Sequence, residues 1–450
     1  MRILALDVGS SSVRALGYDE RGRVLPNTAA RRTYQPAYGR DGSVELDPDL
    51  LVASARDVLA EARAAVGPTD ALAISCFWHT LLPLDSSGRP LTPVLLWQDR
   101  RSARQADELR ARLDAEAVHR RTGCMLHSSY WPAKLAWFRA ERPDVLVRAA
   151  RLVSFGDYLF EHLTGSSHTS LSTASGTGLL DLTRRCWDAE LLAALDLDAS
   201  LLPPLSDEPT DGPEPTFPPL GDGACSNVGA GCTTADRAAL MIGTSGAFRV
   251  VREGEPGPRP GLFSYLLDER RVVEGGAISD GGNLYAWAER TLRLDALELD
   301  APDTHGLTFL PFLGGERSPG WNSRARGGVV GLTFESRPEH VLQAALEGIA
   351  YRFAEIAALL PEVREVVATG HALLASPAWI QVCADVLGCP VSASAVAEGS
   401  ARGAAVHALE RLGADPEPAP LGQVYEPDLD RTEIYAAARE RQRELYERLF

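Results

Sequence analysis

The sequence predicts an α/β protein built from two domains, and three observations carry that prediction. Apolar runs of strand length alternate with segments whose apolar residues recur at helical spacing, as at 71–77 after 48–66 and at 363–368 after the long helix that Pro338 opens. A chain of 450 residues exceeds what one hydrophobic core usually holds. Between residues 202 and 220 the run Pro-Pro-Leu-Ser-Asp-Glu-Pro-Thr-Asp-Gly-Pro-Glu-Pro-Thr-Phe-Pro-Pro admits neither helix nor central strand. It marks the crossing between halves and gives an N-terminal domain 1–217 and a C-terminal domain 218–450.

Composition narrows the function classes. The hydrophobic fraction of 45% and charged fraction of 24% are those of an ordinary soluble protein. A formal net charge of -16 argues against nucleic-acid or anionic-membrane partners, either of which rewards clustered Lys and Arg. Anionic ligands must therefore be held by local donors. Lys134 is the only lysine, which in an Ala- and Arg-rich chain reflects coding bias and carries no assigned function. Seven cysteines form no CxxC pair and are odd in number, which fits free, buried thiols in a reducing cytoplasm. The apolar run after Met1-Arg2 is too short for a signal peptide and no segment approaches transmembrane length, so a cytoplasmic location is expected.

In chain order, 3–8 reads as a strand, Gly9-Ser10-Ser11-Ser12 as a tight turn and 13–18 as the returning strand, with Asp7 at the tip. A carboxylate, a glycine and three serines supply a metal ligand, a close backbone approach and several donors, the set that Mg-polyphosphate needs without a lysine. A plain Ser/Gly turn is the alternative. No G-x-x-x-x-G-K-[ST] occurs, so a P-loop is excluded. An amphipathic helix is expected at 48–66, then a strand at 71–77 that runs into Trp78-His79. A hairpin through Asp85-Ser86-Ser87-Gly88 returns to Trp97-Gln98-Asp99-Arg100-Arg101. Aromatic, imidazole, carboxylate and guanidinium groups thus gather at strand ends, where they could bind hydroxyls and pack on a sugar's apolar face. A structural histidine and a simple Asp99–Arg101 ion pair are the alternatives.

Beyond the proline run, Leu220-Gly221-Asp222-Gly223-Ala224-Cys225 sets one carboxylate between two glycines, which let a ligand approach the backbone. An Asp-Gly turn is the alternative. A second hairpin at 238–251, turning at Gly243-Thr244-Ser245-Gly246, repeats the layout of the first. Two such turns facing each other across a cleft would hold a nucleotide triphosphate between domains. Gly275 to Gly282 leads into a helix, 311–321 is a loop rich in glycine, proline and charge, and Thr369-Gly370-His371-Ala372 opens a helix whose free amides and dipole favour an anion or a nucleotide.

Together Asp7-x-Gly-Ser-Ser-Ser-x-Arg14, Trp78-His79, Trp97-x-Asp99-x-Arg101, Gly221-Asp222-Gly223, Gly243-Thr244-Ser245, Gly315-Glu316-Arg317-x-Pro319 and Ser376-Pro377-Ala378-Trp379-x-Gln381-x-x-Ala384-Asp385-x-Leu387-Gly388 resemble the FGGY carbohydrate kinases. The resemblance covers nearly the whole chain. The runs Cys76-Phe77-Trp78-His79, Ser172 to Gly178, Gly221 to Gly229 and Gly315 to Trp321 look most like the gluconokinase branch. It implies two ribonuclease-H-like domains of the actin and hexokinase type with the active site in the interdomain cleft. ATP and Mg²⁺ are the implied cofactors. The implied partner is a small-molecule sugar, D-gluconate first and xylulose or another polyol as the alternative, with no nucleic acid, no membrane, and a homodimer left open.

By the same resemblance Asp222 would be the general base, close to the transferred phosphoryl group and its metal, and Asp7 would hold Mg²⁺ through water. Gly9, Ser10, Ser11, Ser12 and Arg14, with Gly243, Thr244 and Ser245, would receive phosphates. Trp78, His79 and Asp99 would bind sugar hydroxyls, and Gly282, Gly370 and His371 would border the adenosine. The chain departs from the family in two places: His371 stands where a second glycine is usual, and the linker from Leu294 to Gly306 is short. A non-catalytic sugar or nucleotide sensor is the reading from a different class, with His371 as its support.

Overall fold

The computed structural model describes residues 1–293, 299–322 and 324–450. Part of the short linker from Leu294 to Gly306, residues 294–298, lies outside the described residues.

Two sheets carry the same strand order. In the first, Leu220–Gly221, Ala71–Cys76, Arg2–Val8, Ser12–Asp19 and Ala30–Thr33 are neighbours in that sequence. The strands Leu220–Gly221, Ala71–Cys76 and Arg2–Val8 run parallel, and the other two pair antiparallel. In the second, Val391–Ser394, Glu365–Thr369, Arg237–Ile242, Gly246–Glu253 and Arg271–Ile278 repeat that order and those directions. Phe263–Leu266 and Leu421–Tyr425 extend its two edges. The likeness between the two hairpins in the sequence is therefore a likeness between whole domains, both ribonuclease-H-like. An antiparallel hairpin followed by parallel crossover strands also explains why the central strands are buried on both faces and show no alternation.

Helix Pro48–Val66 forms where expected. Asp47 caps it by accepting from Asp49 N and Leu50 N, and Leu51, Ala55, Val58, Leu59 and Ala62 bury one stripe against the first sheet. Helix Pro338–Ala358 plays the same part for the second sheet. The hairpin through Asp85–Gly88 forms, with Leu91 N donating to Pro83 O at 2.9 Å and Leu81 and Leu95 exchanging hydrogen bonds, while Leu82–Leu84 also ladders with Arg151–Val153 and Val94–Leu95 with Val44–Leu46.

The boundary expected after residue 217 cuts through the first domain. Leu220–Gly221 is the last strand of the first sheet, and it passes directly into helix Asp222–Gly229, which Asp222 opens. Helix Gly399–Arg411, from the C-terminal half, packs on Asp222–Gly229 and on the central strands of the first sheet. Glycines make that crossing possible: a Cβ on Gly229 would lie 1.8 Å from Gly399 O, and one on Gly403 1.8 Å from Cys225 O. All seven cysteines are free; five are buried, but Cys186 is exposed and Cys389 half-buried, against the expectation of uniformly buried thiols. Among the described residues no helix is long and apolar enough to cross a membrane.

Candidate active site

Asp222 stands between two cavities. An inner one is lined by Trp78, His79, Trp97, Asp222, Arg249, Tyr265 and Arg317 among others. A wider cleft on the other side is lined by Asp7, Arg14, Asp222, Arg249, Thr369, Gly370, His371, Glu398 and their neighbours. The carboxyl is partly buried, and Oδ1 accepts from Gly223 N at 2.8 Å. Burial lifts its pKa to about 6, with Arg249 pulling down and Asp7 pushing up. It is therefore ionised at neutral pH yet basic enough to take a proton.

The two glycines beside it act differently from expectation. Neither lies in the left-handed region, and Gly223 lines the wide cleft. A Cβ on Gly221 would stand 1.7 Å from Trp78 Cε2, and one on Gly223 2.4 Å from Arg249 Nη1. They make room for the side chains that wall the site. Nor is the segment a turn, since the strand passes directly into the helix.

Trp78 and His79 leave the end of strand Ala71–Cys76 and are backed by the small polar run that begins at Ser170. Trp78 Nε1 donates to Ser172 O at 2.9 Å, and Ser172 Oγ accepts from Gly221 N at 3.0 Å. His79 Nδ1 lies 2.6 Å from Gly176 O. A carbonyl only accepts, so Nδ1 carries the proton and Nε2 keeps its lone pair. Burial and the nearby Arg317 hold the imidazole well below its usual pKa, so it is neutral. The ring packs between Tyr130 and Tyr265, whose hydroxyls share a 2.6 Å hydrogen bond.

Asp99 does not join them. It is 1% exposed, lines neither cavity, and is held by Arg101, with Nη2 to Oδ2 at 2.6 Å, and by Val44 N at 3.2 Å. Arg101 also binds Glu45 at 2.6 Å and lies over Trp137. The plain ion-pair alternative describes this pair. The carboxylate fixes the chain after Trp97.

In the first hairpin Gly9 N donates to Ser12 O at 2.9 Å. Ser10 is half-buried, Ser11 exposed and Ser12 buried, and of this turn's neighbours only Asp7 and Arg14 reach the wide cleft. Asp7 accepts from Ser75 Oγ at 2.8 Å and faces Arg14 Nε at 3.3 Å; burial raises its pKa. Arg14 Nη1 also pairs with Glu398, from the opposite half. In the second hairpin the turn at Gly243-Thr244-Ser245 is braced from behind, with Gly282 N donating to Gly243 O at 2.8 Å and Asn283 N to Thr244 O at 3.1 Å. Ser245 lines the inner cavity, and Thr244 is exposed.

Gly370 has φ +87, and a Cβ there would stand 2.4 Å from Ile242 O, so the glycine serves the close approach of two strands. Exposed His371 lines the cleft beside it. The helix it opens, His371–Leu374, is only four residues long, too short for the dipole argument made from the sequence.

Two groups, Arg249 and Glu398, escaped the sequence, and a third, Arg317, stood in the Gly315-Glu316-Arg317 motif without an assigned role. Arg249, 7% exposed on strand Gly246–Glu253, faces both cavities; Nε bonds Asn227 Oδ1 at 3.3 Å and Nη2 has no partner. A strand buried on both faces hides which side chains point inward, so periodicity gives no signal. Arg317 lies over Trp97 and Trp321 and also has an unpartnered Nε. Its neighbour Glu316 turns the other way, to Tyr446 Oη at 2.6 Å and Arg352, which anchors the loop. Glu398 has no sequence signal.

A cleft between two like domains, with a lone buried carboxylate at the meeting of two cavities, is the arrangement of a group-transfer enzyme with two substrates. The model of the FGGY family of carbohydrate kinases matches the chain in both parts, its N-terminal domain over residues 2–209 and its C-terminal domain over residues 238–410. The chain is 28% identical to a gluconokinase of Bacillus subtilis, over 91% of this chain and 88% of that one. It is 32% identical to a glycerol kinase of Alkalilimnicola ehrlichii, over 96% and 95%. Among solved structures it resembles a ligand-bound xylulose kinase from Lactobacillus acidophilus with a TM-score of 0.91 and 27% identity, over 100% of this chain and 98% of the other. A gluconate kinase from the same organism gives 0.90 and 26%, over the same shares. This chain belongs to the FGGY family of carbohydrate kinases.

Proposed function

We propose that this chain phosphorylates a sugar acid with ATP and that D-gluconate is the acceptor. The observation that carries the choice of acceptor is the buried guanidinium of Arg317 in the inner cavity, with an Nε that has no partner. In a chain of net charge -16, a buried unpaired cationic donor is costly unless it receives an anion. A carboxylate at one end of the acceptor meets that need, and a neutral ketose or glycerol does not.

The inner cavity takes the acceptor. Its hydroxyl donates to His79 Nε2, Trp78 packs against its carbon skeleton, and Asp222 accepts the proton of the attacking oxygen. The wide cleft suits a magnesium nucleotide: it combines the Asp7 carboxylate with the unpartnered Arg249 Nη2 and the buried, unpartnered Thr369 Oγ1. ATP with Mg²⁺ supplies the transferable phosphoryl group. Arg249, which touches both cavities, neutralises charge where they meet. Asp7 and Asp222 would serve the metal, while Arg14 and the turns at Gly9–Ser12 and Gly243–Ser245 would serve the phosphates. Gly282, Gly370 and His371 would border the adenosine. Closure of the halves keeps water from competing with the acceptor.

A neutral ketose is the second reading, favoured by the equal structural likeness to a xylulose kinase. An ADP-release assay on D-gluconate, D-xylulose and glycerol tests both. The expected result is the highest kcat/KM with gluconate. A higher value with xylulose replaces the acceptor, and no turnover on any of the three favours a sensor.

A further inference from the structure

All but one of the 45 Lys and Arg side chains are arginine. The exception, Lys134 on helix Trp131–Glu141, is 1% exposed. Its ammonium donates to His79 O at 2.6 Å and to Leu96 O at 2.9 Å. Both carbonyls belong to the segments that deliver side chains to the inner cavity: His79 itself, and Trp97, which directly follows Leu96.

His79 has φ 67, the left-handed region that a non-glycine residue keeps only when its surroundings hold it there. One restraint is the Nδ1 bond to Gly176 O. Another is Lys134, which binds the carbonyl of the same residue. No carboxylate pairs with Lys134 at salt-bridge distance among the described residues. Burial lowers its pKa to about 7, against the pull of Asp99. A compact ammonium can converge on two carbonyls in a dry, close-packed site, whereas a planar guanidinium is larger and points its donors in a fixed fork. In a chain that otherwise uses only arginine, the lysine stands where the shape of arginine is wrong. Coding bias explains the arginines and leaves this position unexplained.

We infer that Lys134 is a positioning residue for the acceptor. It pins the His79 backbone and the approach to Trp97, so that the imidazole Nε2 and the indole face meet the acceptor in fixed geometry. The inference rests on reading the inner cavity as the acceptor site.

The test measures KM for D-gluconate and for ATP in the full-length wild-type chain, Lys134→Met, Lys134→Arg, His79→Ala and the double variant His79→Ala/Lys134→Met. Lys134→Met keeps the apolar stem and takes the ammonium from His79 O, while Leu96 O keeps Asp99 N at 3.2 Å, so KM for gluconate is expected to rise about 10-fold or more while KM for ATP stays within about 2-fold. Lys134→Arg is expected not to restore the gluconate KM. In the His79→Ala background the added Lys134→Met change is expected to be worth less than about 2-fold, because the group it positions is already gone. Fully additive effects, or equal rises in both KM values, would reduce Lys134 to a core residue and overturn the inference. Should Lys134→Met fail to fold by circular dichroism, Lys134→Arg carries the same cycle, and wild-type gluconate KM in that variant overturns it. Isothermal titration calorimetry with D-gluconate gives acceptor binding apart from turnover. A wild-type chain that neither binds nor turns over gluconate, xylulose or glycerol sinks the kinase reading and this inference with it. A wild-type chain that turns over, with Lys134→Met unchanged, sinks this inference alone.

Discussion

Trp78 fills the space that a side chain on Gly221 would need, since a Cβ there would stand 1.7 Å from its Cε2. Ser172 ties the two together, accepting from Trp78 Nε1 through its carbonyl and from Gly221 N through its hydroxyl. The wall of the inner cavity and the strand that carries Asp222 are thus one packed unit. Gly221→Ala is expected to cost about 1–3 kcal/mol of stability by overpacking. By displacing Asp222 it should also lower kcat by about 100-fold. Thermal unfolding and steady-state kinetics check both, and wild-type values in the two together would contradict the packing described.

Burial raises the Asp222 pKa from 3.8 to about 6, so its ionised form is disfavoured by the fold and required by the reaction. For a base, kcat/KM should rise with pH through about 6 and then level off. At pH 7 the carboxylate is ionised in both folded and unfolded chains, and the raised folded pKa is a cost to stability, bounded at about 3 kcal/mol by about 1.4 kcal/mol per unit. That cost is absent below the unfolded value and grows as pH rises through the folded one. Asp222→Asn should therefore lose about 100- to 10,000-fold in kcat and melt no lower than wild type at pH 7. A variant that loses activity only because it melts earlier would point to a structural carboxylate.

These residues also show how far the sequence could be read. The paired hairpins and helix Pro48–Val66 were legible because each rests on local rules: strand period, turn residues, an aspartate cap. Asp222 was legible only through its company, since Gly-Asp-Gly alone reads as a turn. The Asp99 motif cannot say which way the carboxylate points; Arg101, two residues on, takes it. Arg249 and Glu398 were invisible, because one lies on a strand buried on both faces and the other meets Arg14 across 384 residues of chain. Long-range contacts of this kind leave no periodicity behind them.

Arg317 should separate acid from neutral acceptors. Its guanidinium rests over Trp97 and Trp321, and its Nε has no partner. A charge-assisted hydrogen bond is worth about 1.5–3 kcal/mol, which is about 10- to 150-fold. Arg317→Gln is expected to lower kcat/KM for D-gluconate by about that factor, chiefly through KM. For D-xylulose it should change by less than about 3-fold, apart from a small loss of packing. Equal losses on both acceptors would remove the carboxylate contact from the account.

Arg14 is shared between Asp7 at 3.3 Å and Glu398 from the other half of the chain, whose side chain is 32% exposed. Both carboxylates face the wide cleft, so Glu398 neutralises part of the Arg14 charge that a phosphate would meet there and repels the same phosphate. Partly exposed ion pairs are worth about 0.2–1 kcal/mol, or about 1.4- to 5-fold. Glu398→Gln should therefore lower KM for ATP by about that much, at low ionic strength most clearly, because salt screens such pairs. The same change weakens a tie between the two halves, so the cleft should also open more readily and product release should quicken where release limits kcat. KM for the acceptor is expected to stay within about 2-fold, since Glu398 does not line the inner cavity. A rise in KM for ATP would mean that the Arg14–Glu398 pair holds the cleft in its nucleotide-binding shape, and that Arg14 serves closure and not the phosphates.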